Sequence, residues 1–101
     1  MSDNSSRVPD LQRMRISAET QPTPEWHGDL DDDCTALWAG FVLRAESMDE
    51  DYWWWAVYLE AQRRPIASSN DSDAQPTSGE EARALALRAA KAYLSNPPLR
   101  Y

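Results

Sequence analysis

Asp29, Asp31 and Asp33 occupy alternate positions, the D-x-D-x-D opening of a calcium loop of the EF-hand kind. Such a loop needs a glycine at its sixth position and a bidentate glutamate at its twelfth, and here those positions hold Cys34 and Gly40. The run therefore reads as a solvated charge cluster. His27 is the only imidazole and has no evident serine or cysteine partner, so it reads as a surface residue. Cys34 is the only cysteine, which leaves no internal disulfide and no cysteine framework for zinc; beside an apolar run it reads as a small buried thiol. No glycine-rich phosphate loop is present. Carboxylates are plentiful, but so small a sheet offers no length to wall a pocket around a pair of them. The expectation is a protein that is not an enzyme and uses no cofactor or metal.

The elements that would position these residues centre on Tyr52-Trp53-Trp54-Trp55-Ala56-Val57-Tyr58-Leu59, which holds three of the five tryptophans and two of the four tyrosines. Aromatic and β-branched residues without Gly or Pro predict a strand flanked on both sides. Alternation sends Trp53, Trp55, Val57 and Leu59 to one face and Tyr52, Trp54, Ala56 and Tyr58 to the other. Leu37–Ala45 predicts a second strand, joined to the first by the polar loop 46–51 as an antiparallel hairpin. Matching like faces puts Leu37, Ala39, Phe41 and Leu43 on the core side, and Trp38, Gly40, Val42 and Arg44 beside Tyr52, Trp54, Ala56 and Tyr58. Pro65–Ser69 predicts a short edge strand, because Pro65 cannot donate to a ladder.

Ser78-Gly79-Glu80-Glu81 has the form of a capping box, and the helix it opens should run to about Ser95, before Asn96-Pro97-Pro98. Ala82, Leu85, Ala86, Ala89, Ala92 and Tyr93 form its apolar stripe, small residues facing large sheet residues. Leu87 and Leu94 fall beside that stripe and need cover from the N-terminal arm or a second subunit. The predicted class is α+β, a small antiparallel three-stranded sheet of ββ(β)α order with one C-terminal helix packed on one face. Residues 1–33 read as a flexible or loosely docked acidic arm, 34–96 as the domain and 97–101 as a tail. Within the arm, Leu11, Met14 and Ile16 suit an edge strand or a turn of helix, and Trp26 suits an anchor.

Chain length supports one domain with a modest core. The formal net charge of −7 opposes affinity for phosphate backbones and anionic membranes. A start without a basic-then-apolar pattern, a lone cysteine and no apolar run of membrane length predict a cytoplasmic protein. Between Asp29 and Asp51 eight acidic residues face Arg44 alone, so this stretch carries the same net charge as the whole chain. On the hairpin reading these acids form two clusters at opposite ends of one strand, about 30 Å apart at roughly 3.3 Å per residue.

Tyr52–Leu59, Pro65–Ser69, Thr77-Ser78-Gly79-Glu80-Glu81-Ala82 and Tyr93-Leu94 together give a pattern that resembles the small ββ(β)α domains of HicB-type antitoxins and YegP-like proteins. The resemblance spans roughly Leu37 to Leu94 and lacks the short acidic-Gly hairpin turn common in the antitoxin group. It implies a module that acts by touching another protein.

The expected activity is that of a non-catalytic inhibitor or regulatory module, of the antitoxin, immunity or phage anti-defence type. Trp38, Arg44, Tyr52, Trp54 and Tyr58 on the sheet, with Asp31, Asp32, Asp33, Asp49, Glu50 and Asp51 in the loops, would occupy a basic, nucleic-acid-binding surface of a partner protein. Direct nucleic-acid or membrane contact is not expected. The alternatives are a structural homodimer and stacking of single-stranded nucleic acid on the aromatic face. The same aromatics also admit a purely structural account, in which the N-terminal arm covers Trp38, Trp54 and Tyr58.

Overall fold

The computed structural model describes residues 10–60, 62–71 and 75–96. The sequence expectations for residues 1–9 and for the tail 97–101 lie outside them. The chain is α+β, with a helix α1 (Leu11–Thr20), five strands and a C-terminal helix α2 (Gly79–Ser95). The strands are β1 (His27–Asp29), β2 (Asp33–Trp38), β3 (Phe41–Asp49), β4 (Tyr52–Leu59) and β5 (Ala67–Ser68). They form one antiparallel sheet in sequential order, so each strand pairs with the next along the chain.

Two of these strands were not expected as such. The predicted strand Leu37–Ala45 is broken at Ala39-Gly40, where φ is +53° and +88°. A two-residue turn with both φ values positive matches the right-handed twist of its flanking strands, and Gly40 adopts this geometry without the penalty a Cβ would bring. The break resets the alternation. Trp38 and Phe41 would lie on opposite sides of a continuous strand; across the turn they face each other on the same side. Trp38 thus enters the core at 3 % exposure, and Leu37 is turned out at 64 %. β1 comes from the stretch expected to be an arm, so the sheet has five strands where three were predicted.

The loop expected at 46–51 is also shorter. β3 continues through Asp49, with a bulge between Ser47 and Asp49, and only Glu50-Asp51 make the turn. Beyond the new turn the expected sharing of faces holds, with Phe41 opposite Leu59, Leu43 opposite Val57, Val42 opposite Tyr58 and Arg44 opposite Ala56. The outer edge of β4 is occupied although β5 has only two residues. Trp53 N–H donates to Pro76 O (3.0 Å), Trp55 N–H to Ser69 Oγ (3.3 Å), and Ile66 N–H to Val57 O (2.7 Å).

Both helices lie on the face that carries Phe41, Leu43, Trp53, Trp55 and Val57. In α2 the Ser78 side chain accepts from Glu81 N–H (3.2 Å), and the Glu81 carboxylate reaches back to Thr77 N–H (2.8 Å), one residue beyond the usual capping-box partner. The buried stripe is Ala82, Ala86, Ala90 and Leu94, with Leu85, Leu87, Ala89 and Tyr93 half-buried. It is rotated from the predicted one: Ala92 is exposed and Leu94 is central. The cause is α1, which packs beside α2 and supplies the cover that Leu94 needed. Arg15 Nε donates to Leu94 O (2.8 Å), satisfying a carbonyl that the helix end leaves open.

Asp10 caps α1 by accepting from Arg13 N–H (3.1 Å), and Leu11, Met14 and Ala18 line its inner side. Met14 is buried where a Cβ on Gly40 would lie 3.1 Å from its Cγ, and Ile16 points away at 56 % exposure. Trp38 Nε1 donates to Gln21 O (2.7 Å) and its ring stacks on Phe41 at 6.2 Å, while Tyr93 meets Phe41 edge-on at 5.7 Å. Trp26 packs half-buried against the same core. The described part of the N-terminal segment, from Asp10, thus covers Trp38 on the helix side of the sheet, and none of these described residues lies across Trp54 and Tyr58.

Candidate functional site: an open sheet face beside an acidic end

The face of the sheet turned from the helices carries Thr35 and Leu37 from β2, Val42, Arg44 and Glu46 from β3, and Tyr52, Trp54 and Tyr58 from β4. None of the described helices packs on it. Leu37 is exposed and the others are half-buried; Ala56, the smallest side chain in its row, is fully buried between Arg44 and Ser68. Arg44 holds the middle. Its guanidinium lies over the Trp54 ring at 5.6 Å from the centroid and reaches Asp33 and Glu46, each at 3.5 Å. All three charged side chains are about a third or more exposed, so these pairs orient the groups more than they stabilise the fold.

The acidic loops lie together. Because the chain reverses at Ala39-Gly40, the start of β2 lies beside the end of β3, and Asp33 faces Glu46. Ser47 N–H donates to Asp32 O (2.6 Å), binding the two loops. This overturns the expected separation of about 30 Å at roughly 3.3 Å per residue. Asp29, Asp31, Asp32, Asp33, Glu46, Asp49, Glu50 and Asp51 crowd one end of the sheet, and the N-terminus of α2, with Glu80 and Glu81, is at the same end. A Cβ on Gly79 would come within 2.9 Å of both Leu30 O and the Trp53 ring. Arg83 ties the helix to the first loop by donating to Leu30 O (3.0 Å) and, weakly, to Cys34 Sγ (3.9 Å). The turn carrying Arg63 and Arg64 follows β4 at the opposite end, near Gly40.

The individual groups have local duties. Asp29 Oδ1 accepts from Asp31 N–H (2.9 Å) and Asp49 Oδ1 from Glu50 N–H (2.7 Å), which is turn chemistry. Among the described residues no group of three or more His, Cys, Asp and Glu side chains is arranged to hold a metal ion. His27 is exposed on β1. Cys34 is 1 % exposed, and burial pushes its thiol above the ordinary value; Arg83 opposes the rise, and the charges of Asp33 and Asp29 add to it. Its place is in the core.

Of the residues expected to form a contact surface, Arg44, Tyr52, Trp54 and Tyr58 share the open face, and Asp31, Asp32, Asp33, Asp49, Glu50 and Asp51 share its acidic end. Trp38 belongs to neither. Sequence reasoning placed Val42 on this face but missed Leu37 there, Glu46 as an Arg44 partner, and the exposed Leu30 and Met48 among the acidic residues. The signal for all of the β2 residues was Gly40, a turn residue inside an alternating apolar run. No helix among the described residues is long and apolar enough to cross a membrane. Comparison with protein-family models, with curated proteins and with solved structures finds no match.

Proposed function

We propose that the protein is a non-catalytic inhibitor or regulatory module that occupies a basic site on a partner protein, in the manner of antitoxins, immunity proteins or phage anti-defence proteins. One observation carries this reading: the acidic clusters meet at a single end, beside an aromatic sheet face that no described helix covers. Concentrated negative charge steers a positive partner and fixes its orientation, while half-buried Trp and Tyr side chains supply the apolar contact that anchors interfaces. A surface that binds nucleic acid presents the complementary arrangement, basic residues around apolar or stacking groups. The HicB-type and YegP-like resemblance, drawn from sequence over Leu37 to Leu94, favours a protein partner.

The test is affinity capture with the full chain as bait, followed by binding of the purified partner across salt concentrations. A basic partner, steep weakening with salt, and further weakening in Glu50→Gln/Asp51→Asn are expected. Binding that ignores both salt and these substitutions would refute the electrostatic mechanism. A stable homodimer in sedimentation that Trp54→Ala dissociates would replace it with a structural role.

A further inference from the structure

The geometry points to arginine, in preference to lysine, as the cation this surface takes from its partner, and to Tyr52 with Asp49 as its seat. The inference rests on the docking reading above and adds the chemistry of the docked group. The face already holds one guanidinium. Arg44 lies over Trp54 at 5.6 Å with Glu46 and Asp33 each at 3.5 Å, and Glu46 is the cross-strand partner of Trp54. The composition of that site is an aromatic ring on β4 with a carboxylate opposite on β3 and another alongside.

Toward the turn a second cross-strand pair joins an aromatic residue of β4 to an acid of β3, the acid's Oδ1 also accepting from Glu50 N–H (2.7 Å). Tyr52 faces Asp49, and Glu50 and Asp51 complete the turn between them. Among the described residues Arg44 alone makes ion pairs with this end, and it is engaged by the first pair. The Tyr52–Asp49 pair is therefore a second ring and carboxylate, one that makes no ion pair among the described residues. It lies between the bulge after Ser47 and the two-residue turn, with Tyr52 half-buried and Asp49 exposed. A planar guanidinium can stack on a ring while its edge donates to a carboxylate; an ammonium, more strongly hydrated and without a flat face, gains less from the same pair. Negative charge alone would not distinguish the two cations. The aromatic ring opposite the acid does.

The probes are an oligoarginine and an oligolysine of equal length, titrated by calorimetry into the full chain at low salt. Wild type should bind oligoarginine about threefold or more tighter than oligolysine. Tyr52→Leu should bring the two to parity, and Tyr52→Phe should preserve the preference. Glu50→Gln/Asp51→Asn should weaken both peptides by the same factor. Equal affinities in wild type, or a preference that survives Tyr52→Leu, would overturn the arginine assignment while leaving electrostatic docking intact. If neither peptide binds at low salt, the docking reading falls with it.

Discussion

Trp53 and Trp55 are 6 % and 5 % exposed, whereas Trp54 between them stays half-buried on the opposite face of β4. The residue type is the same, so the difference comes from what lies opposite. On the helix side Ala82, Ala86 and Ala90 present almost no side chain, and α2 approaches closely enough to fill the space between indoles. That packing even tolerates Trp55 Nε1, an indole N–H buried without a partner among the described residues, at a cost of about 1–3 kcal/mol. On the open side Arg44, Asp33 and Glu46 stand among the rings. An apolar roof there would have to desolvate three charges, and breaking or burying such groups costs several kcal/mol. Charge placed centrally in an aromatic face keeps that face available.

The sharpest break of this contrast is Phe41→Ala. Phe41 is 0 % exposed and touches both Trp38 and Tyr93, so its truncation should cost about 3–5 kcal/mol, read as a fall in the urea midpoint. For a domain this size that is a large part of the total stability. Gly40→Val should come next, at about 2–3 kcal/mol, because a β-branched residue is forced to φ near +88° and its Cβ presses on Met14. Since this turn also brings the acid loops together, any folded Gly40→Val protein should lose salt-dependent partner binding as well.

The same turn marks the limit of what the sequence could disclose. β4, the edge position of Pro65–Ser69 and the Ser78 cap are each set by local chemistry: an uninterrupted aromatic run, a proline and an S-x-x-E box. The structure has β4 and the cap where the residues place them, and an edge strand that is cut down to Ala67–Ser68, with Pro65 outside it. Ala39-Gly40 interrupts an alternation that reads equally well without it, because Ala, unlike Asn or Asp, carries no turn preference at positive φ. That one ambiguity added a strand, moved Trp38 into the core and put the acid clusters together instead of apart. Helix α1 and β1 were hidden for another reason. The few apolar residues of this stretch, Leu11 and Met14 in α1 and Trp26 just before β1, gain stability from the core they dock on, and the exposed β1 is held by its pairing with β2, so local pattern could not separate them from a flexible arm.

Smaller effects test the two faces individually. Ser78→Ala should cost about 1 kcal/mol, since it leaves Glu81 N–H without its acceptor. Trp54→Ala should cost about 1 kcal/mol or less in stability, the scale of one exposed cation–π contact, yet abolish partner binding; a loss comparable to Phe41→Ala would show that the open face is structural after all. Cys34 adds a pH test on the covered side. Its raised thiol pKa means that the folded state holds the proton longer than the unfolded chain. The associated stability is complete below the ordinary thiol range, about pH 8.5, and is lost as pH rises through the folded value. The urea midpoint of wild type should therefore decline above that pH, more steeply than that of Cys34→Ala.

The smallest stability change belongs to Glu50→Gln/Asp51→Asn, at the crowded end of the sheet. Both side chains are exposed, and neither makes an ion pair among the described residues. Removing two like charges should raise stability by about 0.5 kcal/mol or less at low salt, and by nothing measurable once salt screens the remainder. That outcome would show that the two carboxylates do not hold the fold together. If instead the double variant is clearly less stable at every salt concentration, the carboxylates are holding the β3–β4 turn, and the contrast between a face built for stability and one built for contact loses its acidic half.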